Sequence, residues 1–264
     1  MGTQGGSRFS EGVDPRGFLA AVQFLTRIPV PSGQYRLGSA VVWLPLIGTL
    51  LGAVLAAVDV ALRSLGVPSF LSSTLLVVLL LVLTGAIHAD GLIDTCDAVF
   101  GHATPERRLE IMRDPRAGAF GVVGLVCVIA LKIASVDALS PNVRPGLLVL
   151  APTLGRWSIV LVATVFPYGR PGGLGAPLKS AATPLVLALA SLVPLIGCVL
   201  LGPLGMVAGA LAGVTALGVG RWLVTQLPGL TGDCYGAICE LVETVVWLGS
   251  ALALAAASTV IQSL

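Results

Sequence analysis

The sequence predicts an all-α, polytopic integral membrane helical bundle, with about seven transmembrane helices plus a short N-terminal interfacial or re-entrant helix. Charged residues make up only 11% of the chain, whereas soluble domains carry about 25%. The mean hydropathy is +0.98. The apolar runs are continuous rather than alternating, which favours helices over a membrane β-barrel. We expect residues 1–264 to form a single membrane-embedded domain, in which 1–16 are a flexible cytoplasmic tail.

The apolar runs place the individual spans. Phe18 to Ile28 is apolar but short, and Pro29 and Pro31 stop it, so it is assigned to the interfacial or re-entrant helix. Five spans have an apolar run of their own, at about 40–62, 69–89, 118–137, 146–166 and 242–262. The uncharged stretch 180–220 is long enough for two more, joined by a hairpin at Gly202-Pro203.

The basic residues predict the orientation of the bundle. If the N-terminus lies inside, only Arg63 and Arg144 fall on the outer side. The basic residues expected in the cytoplasm are Arg8, Arg16, Arg27, Arg36, Arg107, Arg108, Arg113, Arg116, Arg170 and Lys179. Such an asymmetry is typical of membrane proteins. Three basic residues lie within spans: Lys132, Arg156 and Arg221. Three polar segments are then expected on the cytoplasmic side: 88–116, 167–179 and 225–243.

The stretch HADGLIDTCDAVFG, residues 88–101, collects three carboxylates at the end of an uncharged run. On a helix, where each residue advances about 100°, Asp90, Asp94 and Asp97 fall within an arc of about 60°. Anions at the C-terminal end of a span repel one another and oppose the helix dipole, so we expect a compensating cation. Carboxylate oxygens suit Mg²⁺ or Mn²⁺. The three aspartates are therefore candidate metal ligands, and a solvated acidic loop is the alternative.

The segment TPERRLEIMRDPRAGAFG, residues 104–121, adds cations beside this stripe. Guanidinium groups bind phosphate in a fork geometry. We expect Arg113 and Arg116 to contact phosphate, and Asp114 to contribute to the same substrate site. Ordinary anchoring at the membrane surface is the alternative for the arginines.

A second acidic group occurs in LTGDCYGAICELVE, residues 230–243. On a helix, Asp233, Glu240 and Glu243 fall within about 80° of one another. We expect this face to converge with the aspartate stripe on one cavity, with Asp233 and Glu240 binding substrate.

Other features exclude some classes of function. The net charge of +2 gives no indication of nucleic-acid binding. The five cysteines are scattered and form no Cys-x-x-Cys pair, which argues against a zinc or redox motif.

Four stretches make the sequence similar to the cobalamin synthase family, also called adenosylcobinamide-GDP ribazoletransferase. They are FLTRIPVP (24–31), HADGLIDTCDAVFG (88–101), RRLEIMRDPRAGAFG (107–121) and LTGDCYGAICELVE (230–243). They occur in the family's order, and the resemblance spans nearly the whole chain. Cys96, Pro115 and Tyr235 depart from the residues expected there and leave the acidic pattern intact.

The resemblance implies a catalytic domain that performs the last assembly step of the lower ligand of vitamin B12. Adenosylcobinamide-GDP reacts with α-ribazole or its 5′-phosphate, and GMP leaves. Family members are Mg²⁺-dependent, multi-pass proteins of the bacterial inner membrane. Mg²⁺ on Asp90, Asp94 and Asp97 would neutralise the pyrophosphate, and Asp94 and Asp97 are the expected catalytic residues, with Asp97 as proton acceptor. The expected partners are these small molecules and the lipid bilayer; a homo-oligomer is left open.

Two alternatives stay open at this point. A cation-coupled transporter would use intramembrane charges such as Lys132, Arg156 and Arg221. Another Mg²⁺-dependent membrane phosphotransferase, resembling the CDP-alcohol phosphatidyltransferases, would use an aspartate-rich helix.

Overall fold

A computed structural model describes residues 16–101 and 104–262, and the regular structure within them is helical apart from one isolated bridge. A 3₁₀ segment, Leu37–Trp43, leads directly into α2. The α-helices are α1 Arg16–Leu25, α2 Leu44–Ser64, α3 Ser69–Thr84, α4 Ile87–Phe100, α5 Pro105–Ile111, α6 Ala119–Asp137, α7 Arg144–Val165, α8 Gly175–Ala181, α9 Pro184–Leu200, α10 Gly202–Gln226 and α11 Gly232–Gln262. Residues 1–15 of the predicted tail, which include Arg8, lie outside the described residues.

The predicted class, an all-α polytopic membrane protein, is confirmed. Among the described residues, five helices are long and apolar enough to cross a membrane: Leu37–Ser64, Ala119–Asp137, Arg144–Val165, Gly202–Gln226 and Gly232–Ala257. Two helix pairs, α3 with α4 and α8 with α9, meet the same criterion jointly but are bent by 92° and 99°. If each pair counts as one crossing, the total is the predicted seven. Helix α1, with 10 residues, is too short to cross.

The predicted span 69–89 is wrong at its C-terminal end, because α3 stops before Gly85 and α4 starts in a new direction after Ala86. Both of these residues adopt left-handed backbone conformations, with φ of 61° and 56°. Their N–H groups donate to the carbonyl oxygens of Val82 and Leu81 at 3.1 and 2.9 Å, the Schellman pattern that ends helices. The aspartate stripe therefore belongs to a separate helix that starts after the bend, and not to the C-terminal end of α3.

The C-terminal half agrees with the prediction except at the start of the last helix. The hairpin at Gly202-Pro203 is confirmed, because α10 begins there directly after α9. The predicted last span, 242–262, starts too late, since α11 begins at Gly232. Its 31 residues extend for about 46 Å at about 1.5 Å per residue, which exceeds the hydrocarbon core of about 30 Å. One helix therefore carries the second acidic group and still crosses the membrane.

Helix α7 forms the centre of the bundle and contacts α2, α9, α10 and α11. Its close contact with α2 depends on small residues, since a side chain at Gly48 or Gly52 would meet the α7 backbone. The buried indole of Trp247 in α11 donates to the carbonyl oxygen of Leu147 at 3.0 Å. Exposed leucines and valines cover the outer helices, as a lipid-facing surface requires.

Apart from one buried group of charged residues inside the bundle, the charged residues gather at its two ends. One end, called the site end, contains α4, α5, the segment 166–174 and the first turn of α11. At the opposite end, the guanidinium of Arg144 donates to the buried carboxylate of Asp59 at 2.9 Å, and Arg63 lies 3.0 Å from its second oxygen. Arg63 and Arg144, the two arginines predicted outside, thus share one end.

Candidate active site

Helix α4 presents the aspartate stripe at the site end, as the spacing predicts. Asp90 is exposed, and Asp94 and Asp97 are half-buried. Because α4 is a new helix, Asp90 lies in its first turn, where the helix dipole stabilises a carboxylate. The electrostatic cost expected for a span's C-terminal end therefore does not apply to Asp90.

Asp97 joins α4 to the start of α6. One carboxylate oxygen accepts the N–H of Gly118 at 2.7 Å, and the other accepts the N–H of Gly121 at 2.8 Å. These N–H groups belong to the first turn of α6 and have no partner inside that helix. Asp97 therefore caps α6, a role that its place in the stripe does not reveal. Its predicted roles as metal ligand and proton acceptor stay predictions.

Helix α11 brings Asp233 to the stripe. A β-carbon at Gly91 would lie 2.7 Å from the carbonyl oxygen of Asp233, so the two helices cross in close contact there. One carboxylate oxygen of Asp233 accepts hydrogen bonds from the hydroxyl of Thr231 at 3.2 Å and from the guanidinium of Arg170 at 3.1 Å. The expected convergence of two acidic faces is thus found for Asp233.

Arg170 is a site residue that sequence reasoning did not single out. The segment that carries it is held by two backbone hydrogen bonds, from Gly169 N–H to the Leu230 carbonyl at 2.8 Å and from Leu230 N–H to the Pro167 carbonyl at 2.9 Å. Its only sequence signal is its place in a polar segment predicted on the same side as the aspartates.

Asp94 lies at the centre of this arrangement. Its carboxylate interacts electrostatically with those of Asp90, Asp233 and Asp97 and with the guanidinium of Arg170. Among the described residues, it has no hydrogen-bond partner. Three neighbouring anions and one cation leave an excess of negative charge around Asp94, which a cation would offset.

The arginine segment lies beside the far end of the stripe. A cavity of about 420 Å³ is lined by Asp97, Arg107 and Arg116, among others. Arg116 donates to both carboxylate oxygens of Asp114, at 2.9 and 2.7 Å. This contact lowers the pKa of Asp114 to about 2. Arg113 is exposed and does not line the cavity. The predicted phosphate contacts of Arg113 and Arg116 stay predictions, and Arg116 already has a carboxylate partner.

Glu240 lies elsewhere, in a buried ion-pair network inside the bundle. The ammonium of Lys132 contacts Glu240 and Glu243, each at 2.5 Å. Arg156 pairs with the second oxygen of Glu243 and lies 3.4 Å from a ring nitrogen of His88. The structure therefore does not bring Glu240 to Asp94, and its predicted contact with substrate stays untested.

The donor set around Asp94 fits a hard divalent cation in its chemistry. No three His, Cys, Asp or Glu side chains in the described ranges are placed to hold a metal ion by themselves. Mg²⁺ in phosphate-processing sites is commonly held by one or two carboxylates together with substrate phosphates. The carboxylates around Asp94 suit that mode, in which the substrate completes the coordination.

Up to seven crossings, with carboxylates and arginines converging at one end, define a polytopic membrane protein with a site suited to phosphate chemistry. The sequence model described as cobalamin-5-phosphate synthase matches residues 17–251. The chain belongs to this family, and the predicted resemblance is confirmed.

Relatives in several bacteria share this similarity along almost their whole length. An adenosylcobinamide-GDP ribazoletransferase of Stutzerimonas stutzeri is 41% identical over 89% of this chain and 97% of its own. Proteins with the same description in Desulforamulus reducens and Pseudomonas paraeruginosa are 41% and 43% identical, over 86% and 89% of this chain and 92% and 97% of their own. No solved structure matches the chain.

Proposed function

We propose that this chain transfers the adenosylcobinamide-phosphate group from adenosylcobinamide-GDP to α-ribazole or α-ribazole 5′-phosphate. The products are GMP and adenosylcobalamin or its 5′-phosphate. One observation carries the proposal beyond family membership: the α4–α11 crossing places Asp94 among Asp90, Asp233 and Arg170. Transfer at a diphosphate linkage is favoured by a carboxylate-bound metal and a nearby cation. This arrangement offers carboxylates that would hold such a metal and the guanidinium of Arg170 as the cation.

The transfer is a substitution at phosphorus. A ribose hydroxyl of the acceptor attacks the phosphorus that carries cobinamide, and a new P–O bond forms. The bond from that phosphorus to the bridging oxygen of GMP breaks, and GMP leaves with the electron pair. The guanidinium of Arg170, 3.1 Å from Asp233, would bind a phosphate oxygen at this centre.

The hydroxyl proton must pass to a carboxylate. Asp97 is the acceptor that the sequence predicts, but both of its carboxylate oxygens already accept backbone N–H groups of α6. We assign the proton to Asp94, which lies between the other carboxylates and has no hydrogen bond to the described residues.

Mg²⁺ would be held by Asp90 and Asp233, which flank Asp94, together with phosphate oxygens of the substrate. When bound, the ion would neutralise the diphosphate and stabilise the departing GMP. The sequence also predicts Asp94 and Asp97 as metal ligands. In this proposal, Asp94 accepts the proton and Asp97 caps α6.

The basic residues support a location in the bacterial inner membrane with the site end in the cytoplasm. Arg107, Arg108, Arg113 and Arg116 lie on α5 and its flanking loop at the site end, whereas Arg63 and Arg144 lie at the opposite end. Reporter fusions after Arg116 and after Ser64 should therefore report opposite sides, cytoplasmic for Arg116.

The activity is tested with purified protein in detergent, where no membrane gradient exists. Incubation with adenosylcobinamide-GDP and α-ribazole 5′-phosphate should release GMP in equal amount to the cobalamin product. A transporter would release none. The structure also removes one argument for transport, because Lys132 and Arg156 are already paired with Glu240 and Glu243.

A further inference from the structure

A second polar cavity adjoins the other end of the stripe, and the proposed chemistry has not used it. Its volume is about 550 Å³, and it lies between the end of α1 and the break between α3 and α4. Its polar and backbone lining includes Gln23, Thr26, Arg27, Gly85, Ala86 and Asp90. One cavity is lined by Asp90 and the other by Asp97, and Asp94 lies between these two residues on α4. Two cavities beside one carboxylate suit a reaction with two substrates.

Arg27 supplies the cation of this cavity, which the carboxylate of Asp90 also lines. Its backbone N–H donates to the carbonyl oxygen of Leu83 at 2.8 Å, which fixes the residue beside the helix break. Its side chain lies across Gly85 so closely that any side chain there would displace it. Within the described ranges, its guanidinium has no carboxylate partner, whereas Arg107, Arg116 and Arg170 each have one. Arg27 is exposed, and the N–H donors of its guanidinium are available to an anion.

The start of α4 adds further donors at the same cavity. The first intrahelical bond of α4 runs from Asp90 N–H to the Ala86 carbonyl at 2.9 Å, so the N–H groups of residues 87–89 have no partner inside the helix. Of these three residues, Ile87 lines the cavity. Ala86 has a methyl side chain and gives no side-chain cap. Unpaired N–H groups at a helix N-terminus, together with the positive end of the helix dipole, favour a bound anion. They therefore add to the attraction of Arg27 for an anion.

The distance to the reaction centre limits what this anion can be. Asp90 lines the cavity, and Asp94 follows it by one helical turn, or about 6 Å. A molecule whose phosphate contacts Arg27 in this cavity can extend past Asp90 and place the group next to that phosphate near Asp94. In a nucleotide this group is the ribose with its hydroxyls.

We infer that the Arg27 cavity binds the 5′-phosphate of the acceptor nucleotide, so that Arg27 is the residue that distinguishes α-ribazole 5′-phosphate from α-ribazole. The inference rests on the proposed function and adds the residue that binds this phosphate. The acceptor enters from the Arg27 side and places a ribose hydroxyl at Asp94, and GMP leaves towards the cavity lined by Asp97, Arg107 and Arg116.

The two acceptors differ only in the phosphate, so together they form an internal control. Steady-state kinetics of the wild type, Arg27→Gln and Arg27→Lys are measured with each acceptor in detergent. Loss of a charged hydrogen bond corresponds to about 10- to 100-fold in affinity. Arg27→Gln should raise KM for α-ribazole 5′-phosphate by that factor and leave KM for α-ribazole within about twofold. Arg27→Lys should recover part of the loss, because it keeps the charge.

A matched control is Arg221→Gln, which removes an exposed arginine of α10. It should leave KM for α-ribazole 5′-phosphate and KM for α-ribazole unchanged. The inference is overturned if Arg27→Gln raises KM equally for both acceptors, or raises KM for adenosylcobinamide-GDP instead. It is also overturned, with the proposed function intact, if the wild type uses both acceptors with equal KM and Arg27→Gln changes neither. If the wild type forms no product with either acceptor, both proposals fail.

Discussion

Gly91 of α4 lies against the backbone of Asp233 in α11. A β-carbon added at Gly91 would be 2.7 Å from the carbonyl oxygen of Asp233 and 3.0 Å from its Cα. The same crossing is tight one helical turn away, where a β-carbon on Gly236 would be 3.1 Å from the Cα of His88. The two acidic helices thus approach each other only because each has a glycine at the crossing, and this approach places Asp233 beside Asp94.

The Gly91→Ala variant tests whether activity needs this contact. The added methyl must move α11 away from α4, because the obstacle is backbone rather than a flexible side chain. Overpacking of this kind costs about 1–3 kcal/mol, and we expect a lower melting temperature in detergent together with lower turnover.

Gly213→Ala in α10 is the matched control, since nothing lies within 4 Å of a β-carbon there. It should keep full turnover and melt at the same or a slightly higher temperature. If Gly91→Ala behaved like Gly213→Ala in both measurements, the close crossing would not matter for catalysis.

Charge removal at the centre should lower the rate much more than it lowers stability. Asp94→Asn keeps the shape of the side chain but removes the proposed proton acceptor, and Asp233→Asn removes a proposed metal contact. Each should lower kcat by about 10²- to 10³-fold while the chain inserts and melts normally. Glu106→Gln, an exposed carboxylate in the first turn of α5, should keep wild-type turnover.

Comparing Asp94→Asn with Asp233→Asn also shows which of the two acidic helices, α4 or α11, carries the reaction. Normal turnover of Asp94→Asn with an inactive Asp233→Asn would place the reaction on α11 rather than α4. Normal turnover of both would remove the α4–α11 crossing from the site.

Metal dependence follows from the excess of negative charge around Asp94. Chelator in excess should abolish GMP release by the purified enzyme, and added Mg²⁺ should restore it, whereas Ca²⁺ at the same concentration should restore less because it prefers more ligands at longer distances. GMP release that persists in chelator would contradict the proposed role of Asp90 and Asp233.

The sequence predicts the crossings and the stripe well, because both depend on local periodicity. Asp90, Asp94 and Asp97 share one helix as their spacing requires. The bend before them is not predictable from the pattern, since Gly85 and Ala86 lie in an apolar run and their left-handed conformations depend on how α3 ends. The approach of Asp233 depends on two glycines in distant segments, and the role of Arg170 depends on backbone pairing between two loops.

The ion pairs of Glu240 and Glu243 inside the bundle had a signal in the sequence. Lys132 and Arg156 lie within predicted spans, and a cation in a span needs an anionic partner. Glu243 lies inside the predicted last span, 242–262, and Glu240 lies just before it. Their periodicity with Asp233 was real, but a 3.6-residue repeat does not show where along a 31-residue helix the membrane core begins.

The buried network yields the last prediction, on stability. Glu243→Gln leaves Arg156 without its carboxylate partner, whereas Lys132 keeps Glu240. Breaking a buried pair from one side costs about 3–5 kcal/mol, and thermal unfolding in detergent should show a large drop. Glu110→Gln at the exposed pair with Arg107, whose side chains are 61% and 67% exposed, should cost at most about 1 kcal/mol.

A double variant identifies the cause of that loss. If the cost comes from the stranded guanidinium, Glu243→Gln combined with Arg156→Met should be more stable than Glu243→Gln alone, because no unpaired charge then remains at that position. If the cost comes only from lost packing at Glu243, the second substitution should lower the melting temperature further. An unchanged melting temperature for Glu243→Gln itself would mean that water reaches this part of the bundle and that the network is not buried in the membrane.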